Sequence, residues 1–456
     1  MPTHYSKSAR RGKAQPVDRR LRPPLRWIRC GGHRHGRLCR PEIPVQVTSV
    51  LRYGNGSAVH FDLPDGVLVA QCGCPTARAL EEPGRAVTAA LHEPLNYPPL
   101  ADATTPGDRV CVAVDQGVPK ASELVGAVVR SLVDAGVQAD GITVLRTGED
   151  AEAGRADPSR FLEPQVAERI TLASHDPAKR AQMAYLASTR SGHPILLNRF
   201  LTDADVVLPI GCIRNGRGAW DHGIHSPIFP TFSDERTVAR YRLPSALKRS
   251  GRPKKAVVRE VDQVGWLLGV TLTVQVVPGP GGEVLHVLAG EVEAVKRRGC
   301  QLYRAAWGST VPRRASLVVA GIEGGRASQT WDAVGDALAA ASRLVEEGGA
   351  IALCCELAAE PGPAIRQLIQ IESRPTALRQ IQRWPHEDAL AAAQLARAQD
   401  RARVYLLSRL DPSLVDELEI VPVAEPAEVA RLARRHRSCI LLANAPYAMV
   451  VMEGER

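Results

Sequence analysis

Aromatic residues are scarce: the 456-residue chain has five Phe, six Trp and eight Tyr. Its cores must therefore be built from Val, Leu, Ala and Ile, and a 45% apolar content supplies them and excludes a disordered composition. Long hydrophobic runs are missing too. The longest apolar stretch, Cys439 to Met452, is interrupted by Asn444 and Pro446 and falls short of the ~18 residues of a spanning helix, so no membrane segment is expected. No strand–GxGxxG–helix pattern stands in the body, which disfavours a dinucleotide-binding fold of the Rossmann kind. A disulfide framework is also missing. The ten cysteines are scattered, several within apolar runs such as Val-Cys111-Val and Cys354-Cys355, as small core residues of a reduced cytoplasm would be.

A formal net charge of +9 invites a nucleic-acid reading, but the charge is not spread over the chain. The first 46 residues hold 12 Lys+Arg against Asp18 and Glu42, leaving the other 410 with a net of −1. A near-neutral body lacks the basic patch of a nucleic-acid binder, so no nucleic-acid partner is expected. The leader has no apolar segment of secretory type, and it reads as a disordered tail or a start called too early. Its Cys30, His33, His35 and Cys39 are spaced too tightly for a two-knuckle zinc site.

From Val47 the chain reads as alternating strands and helices. Asp108 to Asp115 is a continuous apolar run of buried-strand type that ends on an acid. Leu124, Val125, Val128, Val129, Leu132 and Val133 follow at helical spacing, with Gly136 where a C-terminal cap belongs and a strand at 141–145. Residues 108–146 therefore form a βαβ unit. A further strand spans Asp205 to Gly211. Val270, Leu272, Val274 and Val276 alternate with polar residues, predicting a half-buried strand and then a hairpin through Pro278–Gly282. A strand at 316–321, a helix from about Trp331 to Glu347 and strands at 350–354, 404–407 and 439–442 complete a second region. The fold class expected is α/β: two α/β lobes, 47–264 and 265–456, with mainly parallel sheets and a cleft between them.

Several residues carry chemistry. Asp115 marks the C-terminal end of a strand, where ligands bind in open α/β sheets. The glycine-rich stretch 211–225 holds Arg214, Arg217, Asp221, His222 and His225. In a helical turn His222 and His225 would share one face, fit for metal binding or proton transfer. Arg214, Arg217 and Arg326 can grip a carboxylate or phosphate bidentately. A small anionic ligand is thus expected. The oligomeric state is left open.

The order of segments resembles the nickel-pincer lactate racemase family. Tyr53-Gly54, Phe61-Asp62-Leu63-Pro64, Pro98-Pro99-Leu100, Pro106-Gly107-Asp108 and Val110–Asp115 carry the likeness, as do His175-Asp176, Leu186-x-Ser-Thr189, Gly192-His-Pro194, Asn198-Arg199 and Asp203-Ala-Asp205. Glu283, Ala289-Gly290-Glu291 and Gly324-Gly325 extend it into the second region. The resemblance implies a nickel ion in a pyridinium pincer nucleotide bonded to a lysine, a histidine on the metal, hydride transfer at C2 of a 2-hydroxy acid, and two histidines exchanging the hydroxyl proton. It also implies a structural role for His175.

This chain departs at those positions. The family's nucleotide loop reads Asp115-Gln-Gly-Val-Pro119, and Thr147-Gly148-Glu149-Asp150 puts Asp150 where the first catalytic histidine belongs. Counted back from Pro230, the tether lysine falls on Ser226 and the second histidine near Gly216; the metal-ligand histidine falls near Arg242. The second lobe's lysine loop reads Gly324-Gly-Arg-Ala-Ser-Gln329. A lysine-tethered pincer is therefore not expected. Two functions remain: a divergent racemase or epimerase using Asp150, His222 and His225 with Asp115 and Gly148 in the pocket, or a non-catalytic relative binding a small anion or a partner protein.

Overall fold

A hairpin opens the folded chain in the computed structural model, which describes residues 47–189, 192–214, 223–246, 254–371, 374–381 and 386–454. The leader 1–46, Arg217, Asp221 and His222 lie outside the described residues. The hairpin pairs β1 (Val47–Tyr53) with β2 (Ser57–Leu63) antiparallel. Period-two burial of Leu51, Tyr53, Val59, Phe61 and Leu63 turns one face inward and leaves Arg52 and His60 outward. β3 (Leu68–Cys72) follows.

The predicted βαβ unit forms as β4 (Val110–Val114), the helix Ala121–Asp134 and β5 (Ile142–Thr147). All five β4 residues are buried, as a central parallel strand requires. The helix buries Leu124, Val125, Val128, Val129 and Leu132 and stops where Gly136 turns to φ 96°. There the Gly136 N–H donates to Val133 O and the Val137 N–H to Leu132 O, at 2.9 and 3.0 Å, a Schellman cap. Next come β6 (Thr171–His175), the antiparallel pair β7 (Met183–Ser188) and β8 (Pro194–Asn198), and β9 (Val206–Cys212). β10 (Leu272–Pro278) and β11 (Val284–Glu291) make the predicted hairpin. The later strands are β12 (Gly308–Val311), β13 (Ala315–Gly321), β14 (Val345–Cys354), β15 (Arg403–Leu407), β16 (Val421–Val423), β17 (Cys439–Leu442) and β18 (Met449–Met452).

Two six-stranded sheets result, ordered β11-β10-β9-β4-β5-β6 and β16-β15-β14-β13-β17-β3. Every pairing is parallel except β10 with β11. In the first sheet the chain runs outward from β4 through β5 and β6, then returns on β4's other side as β9. In the second it runs from β13 through β14, β15 and β16 and returns as β17. The strand ends at β4/β9 and β13/β17 are thus switch points, the positions that open α/β sheets use for ligands.

Three sequence expectations need correction. The sheets do not divide the chain at 264/265, because β10 and β11 belong to the first sheet and β3 to the second. Residues 44–456 cluster as a single unit. β10 is buried on both faces rather than one. It is an interior strand, and its polar side chains bond internally: Thr273 Oγ1 donates to Pro209 O at 3.2 Å and Gln275 Nε2 to Thr273 Oγ1 at 2.9 Å. The helix expected to reach Glu347 ends at Ala341, because Val345 already pairs with Ala315 as β14 begins. No described helix is long and apolar enough to cross a membrane.

Candidate functional site at the first switch point

The first switch point is bridged by an ion pair. Asp115, 1% exposed, directly follows β4, and its N–H donates to Ile210 O of β9 at 2.9 Å. Its carboxylate accepts from Arg214 Nη2 at 3.2 Å, from the Gln116 N–H at 2.9 Å and from Thr231 Oγ1 at 3.4 Å. Arg214 follows β9, so strand order alone brings the pair together. Burial pushes the Asp115 carboxyl up, and the Arg214 charge and the hydrogen bonds pull it back.

Gln116 gathers the neighbouring groups. Arg214 Nη2 also donates to Gln116 O at 3.2 Å, and Arg242 Nη2 donates to Gln116 Oε1 at 3.4 Å. Gln116 Nε2 donates to Glu149. Arg242 is 8% exposed, and its Nη1 lies 3.2 Å from Glu387 Oε1, on a side chain that is 82% exposed. Glu149's carboxyl is raised by burial above its ordinary value against the pull of Arg242, with Glu387, Asp332 and Asp150 adding to the rise.

Asp150 sits in the first turn of the short helix Gly148–Glu152, where its N–H donates to the capping Thr147 Oγ1 at 3.2 Å. Its carboxylate is 2.5 Å from Arg155 Nε and accepts from the Gly117 N–H at 3.4 Å. Gly148 opens that turn, where an added Cβ would lie 3.4 Å from His175 O. Asp115, Arg214 and, through residues 116–117, Asp150 are therefore assembled together.

Other predicted site residues lie elsewhere. His225 is buried among Ile224, Ile228, Phe229 and Phe232 and lies flat on Gly265 of the helix Lys255–Leu267. A Cβ at Gly265 would fall 2.3 Å from the ring's Nδ1, so only glycine admits the imidazole there. Arg326 is exposed in the turn after β13. His222, with its share of the metal pair, and Arg217 fall outside the described residues. Among the described residues no three His, Cys, Asp or Glu side chains converge on a metal position. His175 is structural in its contacts: Nε2–H donates to Ser233 O at 3.0 Å, and Nδ1 accepts from Asn198 Nδ2 at 3.1 Å.

These residues do not fit a lysine-tethered nickel pincer. Ser226, at the tether position, is 7% exposed, and its hydroxyl donates to Gly223 O at 2.8 Å. Arg242, near the metal-ligand position, is a cation with no acceptor atom to offer a metal. Gln116, Glu149, Thr231 and Glu387 are the site residues that sequence reasoning missed. Gln116 and Glu149 adjoin the departed motifs and had a signal there; Glu387 arrives through long-range packing alone.

The buried imidazoles set a pH dependence. Burial lowers the pKa of both His175 and His225, opposed at His175 by the Ser233 hydrogen bond and Asp176 and at His225 by Asp262 and Glu293. The unfolded chain, with histidine near ~6.5, then takes up protons that the folded chain refuses, so stability is present above that value and lost as pH falls below it. Urea midpoints should drop between about pH 7 and pH 5, and His175→Gln should flatten the slope. An unchanged slope in that variant would contradict the assignment.

Two mainly parallel sheets, each with its own switch point, and an aspartate loop after β4 define the α/β architecture. The sequence model of the lactate racemase N-terminal domain matches residues 53–246. The stretch 53–246 is thus similar to that domain. Its fold is similar to the lactate racemase apoprotein from Thermoanaerobacterium thermosaccharolyticum, with a TM-score of 0.71 and 17% identity over 89% of this chain and 100% of that one. A Thermotoga maritima protein is similar at a TM-score of 0.59 and 12% identity, over 81% and 98% of the two chains. No curated protein matches the chain. Identities this low establish the fold alone.

Proposed function

We propose that this chain binds a small carboxylate of the 2-hydroxy-acid class at the β4/β9 strand ends, without a lysine-tethered nickel pincer. One observation carries the reading: Arg214 and Arg242 converge on Gln116, and the counter-ion of buried Arg242 is the exposed Glu387. A ligand carboxylate would displace Glu387 and take its place on the guanidinium. Glu149, held by the same Gln116 side chain that accepts from Arg242, adds a proton-transfer group, which favours a second reading, an isomerase with altered cofactor handling. The eight described cysteines are free thiols, five of them buried, which supports a cytoplasmic location.

Calorimetric titration with D-lactate, L-lactate and phosphate tests the reading. Lactate should bind saturably, and Glu387→Gln should tighten it about three- to five-fold, since an exposed ion pair is worth up to ~1 kcal/mol. No saturable binding of lactate, or weaker binding in Glu387→Gln, would sink the proposal. Loss of optical rotation in the same lactate samples would select the isomerase reading.

A further inference from the structure

We propose a second ligand site, at the β13/β17 switch point, for a small amino acid or another zwitterion carrying an amine and a carboxylate. A cleft of about 430 Å³ opens there, within the range of small-molecule sites. Its walls include Arg52 and His60 from the outward face of the β1–β2 hairpin, Cys74 after β3, Glu323 after β13 and Ala443 after β17. None of its lining residues belongs to the Asp115 cluster. The hairpin is fastened across the strand end: the Gly54 N–H donates to Ile322 O at 2.8 Å, and the Gly324 N–H donates to Gly54 O at 2.9 Å.

Glu323 accepts from Asn444 Nδ2 at 2.8 Å, so this switch point is spanned by a carboxylate and its partner just as the first is by Asp115 and Arg214. Asn444, 2% exposed and held at φ 43°, also donates Nδ2 to Gly73 O at 3.4 Å. Its Oδ1 is buried with no hydrogen-bond partner among the described residues. Burial raises the Glu323 carboxyl, while Asn444 and then Arg52 pull it back. The cleft thus sets an acid on the sheet side against a guanidinium on the hairpin side. An amine meets Glu323, and a carboxylate meets Arg52.

Calorimetry on the full chain with the standard amino acids, and with propylamine and propionate as single-charge probes, tests this. At least one amino acid should bind saturably, and Glu323→Gln and Arg52→Ala should each weaken it about ten-fold while leaving lactate binding unchanged. Arg52 is exposed, so its variant decides the matter if Glu323→Gln folds poorly. Binding of no amino acid, equal affinity for propylamine or propionate, or unaltered affinity in Arg52→Ala would overturn the proposal.

Discussion

Asp115→Ala lowers the unfolding free energy by about 3–5 kcal/mol, the cost of breaking a buried ion pair from one side. The carboxylate serves three donors at once, from Arg214, the Gln116 backbone and Thr231. Alanine leaves the Gln116 N–H short of an acceptor and the guanidinium without its counter-charge, while the Thr231 hydroxyl keeps Ser226 O at 2.7 Å. Arg214 retains some water, since its side chain is 28% exposed, which favours the lower end of that range. Asp115→Asn keeps the shape and two acceptor sites on Oδ1 while removing the charge, so it should lose less than the alanine variant. The measurement is the urea midpoint of both variants beside the parent, at constant m. A loss below ~1 kcal/mol for alanine would mean that Arg214 re-solvates freely and that the pair is ornamental. Lactate affinity should fall with the alanine variant as well, because Arg214 and Gln116 lose the anchor that aims them.

Trp307→Ala is expected to cost ~3–5 kcal/mol, the usual range for emptying a large aromatic site. Trp307 is 1% exposed and ends the helix Val292–Trp307. It packs with Ile213, Val277, Leu285, Tyr303 and Ala306, and its ring lies 5.4 Å from that of Tyr447. Those partners come from the ends of β9 and β10, from β11 and from the loop after β17, so one indole ties elements of both sheets. Its Nε1–H donates to Pro278 O at 2.9 Å, and losing that bond strands a buried carbonyl at a further ~1 kcal/mol. Trp307→Phe should recover much of the packing but not the hydrogen bond. A midpoint shift equal for Ala and Phe would show that the hydrogen bond, not the volume, carries the effect.

Much of the first lobe was legible because its signals are local. The apolar run of β4, the spacing from Leu124 to Leu132 and the capping Gly136 each act within a few residues, and each formed where expected. Asp115 was legible for the same reason, as an acid placed where an apolar run ends. Membership of a sheet is not local. The hairpin of β10 and β11 forms as read, yet nothing in Leu272–Glu291 states that its neighbour is β9. The polar positions Thr273 and Gln275 mislead because period two reports polarity, whereas burial depends on whether polar groups can bond one another. His225 sits in a glycine-rich, arginine-rich stretch that suggested chemistry, and the decisive residue, Gly265, is forty positions away in sequence. Glu387 reaches Arg242 across a far wider gap in sequence.

The pairing of β3 with β17 joins Leu68–Cys72 to Cys439–Leu442, and it has a consequence for how the chain is made. The ribosome releases the hairpin and β3 first, and their partners last. Until then the hairpin's apolar face, Leu51 to Leu63, has no sheet to cover, and the edge of β3 is unpaired, a state that invites aggregation. Non-local closure of this kind slows folding. The gene cannot be cut between the lobes for the same reason, since either fragment would carry a strand that the other needs. The first sheet can close as soon as β11 has been made, whereas the second waits for β17 to pair with β3.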